Sequence, residues 1–181
     1  KTMPYRYHPN STYFVTYKTY HSLDYFQSDS NKKILHEQMI KACEKFDFNL
    51  ITYVILSNHY HLLIETQDKT NLNKAIQIIN GGSAFLIDKP SQTKQVWQRA
   101  NKNSSAILNE ESFFSVLGYI VGNPLKHGIV KDFDELNEYR FCNYIEQINE
   151  HSKGLINDLI LKNCKLDFES PESFERIYGS A

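Results

Sequence analysis

From Leu50 to Glu65 the chain carries two runs dense in β-branched and aromatic residues, broken only by Ser57-Asn58. Two such runs about a two-residue turn read as a β-hairpin. The second run contains His59 and His61, and alternate side chains of a strand share a face. His59, His61, Leu63 and Glu65 are therefore expected on one side, with Tyr60, Leu62 and Ile64 on the other. Two neutral imidazoles held side by side on a rigid strand form a natural clamp for a divalent metal.

The rest of the pattern builds around this hairpin. Thr12 to Thr19 alternates and is rich in Tyr, Thr, Phe and Val, so it reads as a first strand. After the Ser28-Asp29-Ser30-Asn31 cluster, Leu35, Met39, Ala42, Cys43 and Phe46 recur at helical spacing. Leu72, Ala75, Ile76 and Ile79 mark a second helix, expected to be interrupted at Gly81-Gly82. Lys94 to Arg99, around Val96 and Trp97, reads as a fourth strand, and Glu110 to Asn123 as a third helix. The order β-α-β-β-α-β-α predicts an α+β fold, with an antiparallel, ferredoxin-like sheet and helices packed on one face.

At 181 residues and 41% hydrophobic content, the chain can bury one core, and a single domain is expected. Cys43, Cys142 and Cys164 make no CxxC pair and are odd in number. That argues against a disulfide scaffold or a cysteine zinc site and fits a reducing, cytoplasmic setting. No apolar run approaches the ~20 residues that span a bilayer. The net charge of -1 conceals an asymmetry. Residues 1–131 hold 15 Lys and Arg against 10 Asp and Glu, and residues 132–181 hold 5 against 11. Lys94, Arg99 and Lys102 belong to a basic stretch that could meet phosphates, although charge alone favours a solvated surface with lysines for solubility.

The third helix carries a second constellation. At about 100° per residue, Phe113, Phe114, Leu117, Ile120 and Val121 share one arc that should face the core. Tyr119 and Asn123, spaced i and i+4, fall outside it and sit one above the other, on a face expected to be free of packing. Pro124 follows and should end the helix. Taken singly, Tyr119 reads as a half-buried surface tyrosine and Asn123 as a helix-end residue.

Together these segments resemble a known family. Ser57-Asn58-His59-Tyr60-His61-Leu62-Leu63-Ile64-Glu65 resembles the histidine-hydrophobe-histidine motif of HUH nucleases. Gly118-Tyr119-Ile120-Val121-Gly122-Asn123-Pro124-Leu125-Lys126-His127-Gly128 is similar to the tyrosine helix of their single-tyrosine transposases. The Tyr-Ile-x-x-Asn-Pro segment, together with Val96-Trp97-Gln98, is most like the REP-associated tyrosine transposases. The likeness covers roughly residues 5 to 144.

The resemblance implies an HUH palm and a metal-dependent single-stranded DNA endonuclease and strand transferase. Tyr119 would attack a phosphodiester at a hairpin-associated site and keep a covalent 5′-phosphotyrosine link. His59, His61 and Asn123 would hold Mg²⁺ or Mn²⁺. Single-stranded or hairpin DNA is the implied partner, with Lys94, Arg99, Lys102 and Lys126 as candidate contacts, and the protein is expected as a monomer or homodimer. The alternative is a domesticated hairpin-binding module without strand transfer; an unrelated metal hydrolase using only His59 and His61 is a third reading. Ser57 stands where the family often has proline, and Tyr60 where it has a small aliphatic residue. Residues 145–181 form an acidic extension without a counterpart, expected to be helical and packed on the 1–144 domain.

Overall fold

The computed structural model describes residues 8–67, 70–87, 95–99 and 103–180. Four strands, β1 (Thr12–Lys18), β2 (Phe48–Ile55), β3 (His59–Thr66) and β4 (Ser104–Ala106), form one sheet in the order β2-β3-β1-β4. Every neighbouring pair is antiparallel. Ser57-Asn58 connects β2 to β3 as the two-residue turn requires. The helices are α1 (Asp29–Phe46), α2 (Leu72–Leu86), α3 (Glu110–Lys126), α4 (Phe133–Glu138), α5 (Tyr144–His151), α6 (Lys153–Asn163) and α7 (Pro171–Tyr178). The fold is α+β with an antiparallel sheet.

Helices cover both faces of this sheet rather than one. Tyr13, Val15, Tyr60, Leu62 and Ile64 pack with Leu35, Met39 and Ala42 of α1 and with Ala75 and Ile79 of α2. Phe14, Val54 and Leu63, pointing the other way, pack with Val116, Leu117, Ile120 and Val121 of α3, Ile156 and Ile160 of α6, and Phe174 of α7. The strands carry apolar residues at odd and even positions alike, so neither face can be left to water. β3 in consequence is buried along nearly its whole length.

Local chemistry explains where elements begin, and tertiary packing explains three departures from the sequence pattern. Ser28 caps α1 by accepting from the Asn31 amide, and Asp47 ends it in the left-handed region at φ 51°. α2 runs through Gly81-Gly82 without interruption. A Cβ on Gly82 would lie 2.3 Å from the Gln38 side-chain oxygen, so the glycine admits a side chain of α1 instead of breaking the helix. α3 continues past Pro124 to Lys126 because the proline costs only one bond so near the end, and the His127 amide still reaches the Asn123 carbonyl at 3.0 Å. The fourth strand is Ser104–Ala106, which has little strand character of its own. Within the expected fourth strand, residues 95–99 make a single bridge, Thr19 to Trp97. Trp97 is drawn into the core, stacked on Phe26 at 4.9 Å, with its indole N–H donating to the Asn80 carbonyl at 3.0 Å.

α3 approaches α6 backbone to backbone. A Cβ on Gly118 would stand 2.5 Å from the main-chain oxygen of Leu159, and one on Gly122 would stand 2.7 Å from the Cβ of Cys164. Backbone cannot yield as a flexible side chain can. We expect Gly118→Ala to cost about 1–3 kcal/mol through overpacking, lowering Tm by roughly 2–10 °C. Gly81→Ala, with nothing within 4 Å of the added carbon, should instead hold Tm or raise it slightly. Thermal denaturation followed by circular dichroism checks the pair; equal Tm values for both variants would refute the close approach.

Candidate active site

The antiparallel register of β1 and β3 sets the first wall of the site. Thr16 pairs with His61 and Lys18 with His59, so all four side chains share the face that looks toward α3. Both histidines are buried. The His59 Nδ1 is 2.7 Å from Asn58 Oδ1. Asn58 Nδ2 is committed to the Ser22 carbonyl, so its oxygen accepts and the proton of His59 lies on Nδ1. His61 Nδ1 bonds to Thr16 Oγ1 at 2.8 Å. Each ring is thus oriented through Nδ1, and each Nε2 is buried without a hydrogen-bond partner among the described residues. Burial lowers the His59 pKa to about 4 against the partial opposition of Glu169, and it drives His61 well below the usual histidine range. Two neutral imidazoles result, each with Nε2 facing inward, and on His59 that nitrogen carries the lone pair.

The second wall is α3. Tyr119 and Asn123 are fully buried, which corrects the expectation of an unclaimed face. α3 is clamped between the sheet and α6, so no side of it reaches water over residues 115–124. The Tyr119 ring lies 5.2 Å from His61 and 5.1 Å from Phe168, centroid to centroid. Asn123 Nδ2 donates to the Tyr119 carbonyl at 2.8 Å, which fixes the amide and leaves Oδ1 buried with no partner among the described residues. The structure therefore brings His59, His61, Tyr119 and Asn123 to one place.

The third wall comes from the acidic part of the chain, which was expected to pack on the domain, but no sequence pattern pointed to Glu169. Glu169, just before α7, reaches in to accept the Tyr119 hydroxyl at 2.9 Å and Lys126 Nζ at 2.9 Å, both at Oε1. Lys18 stands 3.3 Å and His59 Nε2 3.8 Å from Oε2, while His127 Nε2 stands 3.6 Å from Oε1. Burial alone would raise the Glu169 pKa, but hydrogen bonding from His127 and Lys126 outweighs it and holds the carboxyl well below the usual range. Tyr119 moves the other way, far above an ordinary phenol, through burial and then through the charge and hydrogen bond of Glu169.

The donor set fits a divalent cation. One nitrogen each from His59 and His61 and one oxygen of Glu169 lie within 4.8 Å of one another. Three buried polar atoms otherwise without partners, His59 Nε2, His61 Nε2 and Asn123 Oδ1, are the costly sort of group that a metal satisfies. Imidazole with amide or carboxylate oxygen suits Mn²⁺ as well as Mg²⁺.

The remaining expected residues scatter. Lys126 is in the site, not on the surface. Arg99 is exposed; Lys94 and Lys102 lie outside the described residues. Glu65 shares the histidine face but sits at the far end of β3, accepting from Asn49 at 2.9 Å. Tyr60 points to the opposite face and donates to Asn80 Oδ1 at 2.8 Å. Thr16 and Lys18 were readable in principle, because pairing β1 with the histidine strand places alternate residues beside it.

Because Glu169 compensates two lysines in a site largely shielded from water, Glu169→Gln should lower stability by about 1–3 kcal/mol and Tm by roughly 2–10 °C. An unchanged Tm in a thermal melt would mean that these contacts contribute nothing net.

Comparison with known proteins gives three findings. Residues 10–120 match the family model described as "Transposase IS200 like". A curated Haemophilus influenzae protein, provisionally named a REP-associated tyrosine transposase, is 29% identical over 108 residues, which is 51% of this chain and 60% of that protein. The chain thus spans less than two thirds of that relative's length. A solved structure of a REP-associated tyrosine transposase bound to a REP hairpin superposes with a TM-score of 0.67, covering 86% of this chain and 87% of that one. At 20% identity, that likeness is one of fold.

Proposed function

The chain belongs to the IS200-like transposase family, and from that premise we propose that it is a metal-dependent single-stranded DNA endonuclease and strand transferase. The observation that carries the proposal is the convergence of Tyr119 with three buried atoms on His59, His61 and Asn123 that have no partner among the described residues. Tyr119 is the nucleophile. Its oxygen forms a bond to phosphorus as the bond from phosphorus to the 3′-oxygen breaks. The phenol proton is lost to solvent, and the leaving oxygen takes one up as a 3′-hydroxyl. The product is a 5′-phosphotyrosine link that retains a phosphodiester, so a later 3′-hydroxyl can reverse the step without ATP.

His59 and His61 would hold Mg²⁺ or Mn²⁺ with Asn123 Oδ1, and Glu169 would add an oxygen until a phosphate takes its place. The cation would supply Lewis-acid polarisation of the phosphoryl oxygen. Asn58 and Thr16 hold the rings by their other nitrogens, an arrangement that sharpens ligand geometry. Asn123, through its bond to the Tyr119 carbonyl, ties the donor set to the turn of α3 that carries the nucleophile.

Hairpin or single-stranded DNA is the partner we extend to this chain, from the fold neighbour whose structure holds a REP hairpin. Arg99, Lys94 and Lys102 are its proposed backbone contacts. We take residues 1–144 as the nuclease domain and 145–181 as an extension that brings Glu169 to the site. His59, His61, Tyr119, Asn123 and Glu169 come together within one chain, and a monomer is the state we propose for cleavage. The full burial of Tyr119 under Glu169 favours a second reading, a hairpin-binding module that does not cut.

End-labelled hairpin DNAs incubated with protein and run on a denaturing gel separate these readings. The expected result is a slow-migrating protein–DNA adduct that needs Mn²⁺ or Mg²⁺, vanishes with chelator and is absent in Tyr119→Phe. Cleavage surviving in Tyr119→Phe would remove the tyrosine from the mechanism, and binding without adduct would favour the second reading. Independently of activity, Mn²⁺ at about a hundred times its Kd should add ~2.7 kcal/mol and raise Tm by roughly 5–10 °C. That rise should be lost in His59→Ala and His61→Ala; a rise that persists in both places the ion elsewhere.

A further inference from the structure

We propose that Lys126 is a catalytic residue, whose ammonium holds the charge on the attacking Tyr119 oxygen and on the scissile phosphate, in a subsite that the Glu169 carboxylate marks. The inference rests on the reading above in which Tyr119 attacks a phosphodiester.

Lys126 follows Tyr119 by seven residues on α3, two turns along and within about 20° on the helix wheel. Its Nζ lies 3.3 Å from Tyr119 Oη and 4.7 Å from the ring centroid. It is the cation in contact with the nucleophilic atom among the described residues. The side chain is 19% exposed and is anchored by donating to the Leu166 carbonyl at 3.2 Å, so its position is fixed before any ligand arrives. A preplaced charge at a developing oxyanion costs no reorganisation during reaction.

The Glu169 carboxylate shows what the cradle accepts. Oε1 faces Lys126, His127 and the Tyr119 hydroxyl, while Oε2 faces Lys18 and His59. A phosphodiester presents the same chemistry, one negative charge spread over two unesterified oxygens. One oxygen would lie against Lys126 and the other against Lys18, beside the histidine nitrogens. Carboxylate and phosphate are alternative occupants of this subsite. A cavity of about 280 Å³, lined by Thr16, Gln98, Asn103 and Glu172 among others, borders the cradle at Lys18 and Glu169.

The test uses a hairpin oligonucleotide that the wild type cuts, with the mapped linkage replaced by an uncharged methylphosphonate. In chelator, by fluorescence anisotropy, the wild type should bind the phosphate form at least about tenfold more tightly than the methylphosphonate, as close charge pairs do. Lys126→Met should bind the two forms alike, and Lys126→Arg should keep most of the difference. With Mn²⁺, Lys126→Met should form adduct about a hundredfold more slowly, the scale of losing one oxyanion donor. Since Lys126→Met leaves Glu169 short of a partner, Lys126→Met/Glu169→Gln removes both charges and should show the same loss of discrimination. Phosphate discrimination or adduct formation at wild-type level in the two Met variants would overturn the inference. Failure of the underlying reading looks different: the wild type then forms no adduct with either metal, and the catalytic role falls with it.

Discussion

Burial of β3 on both faces is the constraint on which the rest depends. A strand in that position cannot keep water around His59 and His61, so the rings must be neutral and must find partners inside the protein. One nitrogen of each finds Asn58 or Thr16; the other faces inward toward α3. Packing then fixes what those nitrogens see. α3 lies close against the sheet because Phe14 and Leu63 need cover, and α6 lies close against α3 because Gly118 and Gly122 let it. The position of the tyrosine hydroxyl follows from two largely apolar interfaces, in the first of which the Tyr119 ring itself packs edge-on against Phe14.

Electrostatics completes what packing begins. The lysines that line the site come from the basic part of the chain, and their counter-charge comes from the acidic part. Lys18 and Lys126 converge on a carboxylate that is distant in sequence and held beneath Phe168 and α7. Isolated, any one of these charges would be expensive at this depth; as a network they compensate one another. The net charge of -1 hides this internal complementarity, since it averages over both halves.

Much of the fold was legible in the chain because its local signals agree with its packing. The hairpin, the first strand and the helix after the Ser28–Asn31 cluster are properties of neighbours in sequence, and each appears where the residues put it. His59, His61, Tyr119 and Asn123 were legible through spacing and likeness to a family. What failed to show was set by distant contacts. Gly81-Gly82 looks like a break until Gln38 is placed against it, and Ser104–Ala106 looks like a loop until β1 offers it hydrogen bonds. Glu169 is one acidic residue among several and has no local signature; only the docking of α7 distinguishes it.

The site's parts are supplied at very different times in synthesis. The last strand is present once Ala106 has been made, but Glu169 follows 63 residues later. At ordinary elongation rates that gap lasts roughly 3–13 s. During it, Lys18 has no access to the carboxylate that later faces it. The counter-charge of this site is thus the last of its parts to be made, and Lys18 and Lys126 are matched only once the acidic segment has docked.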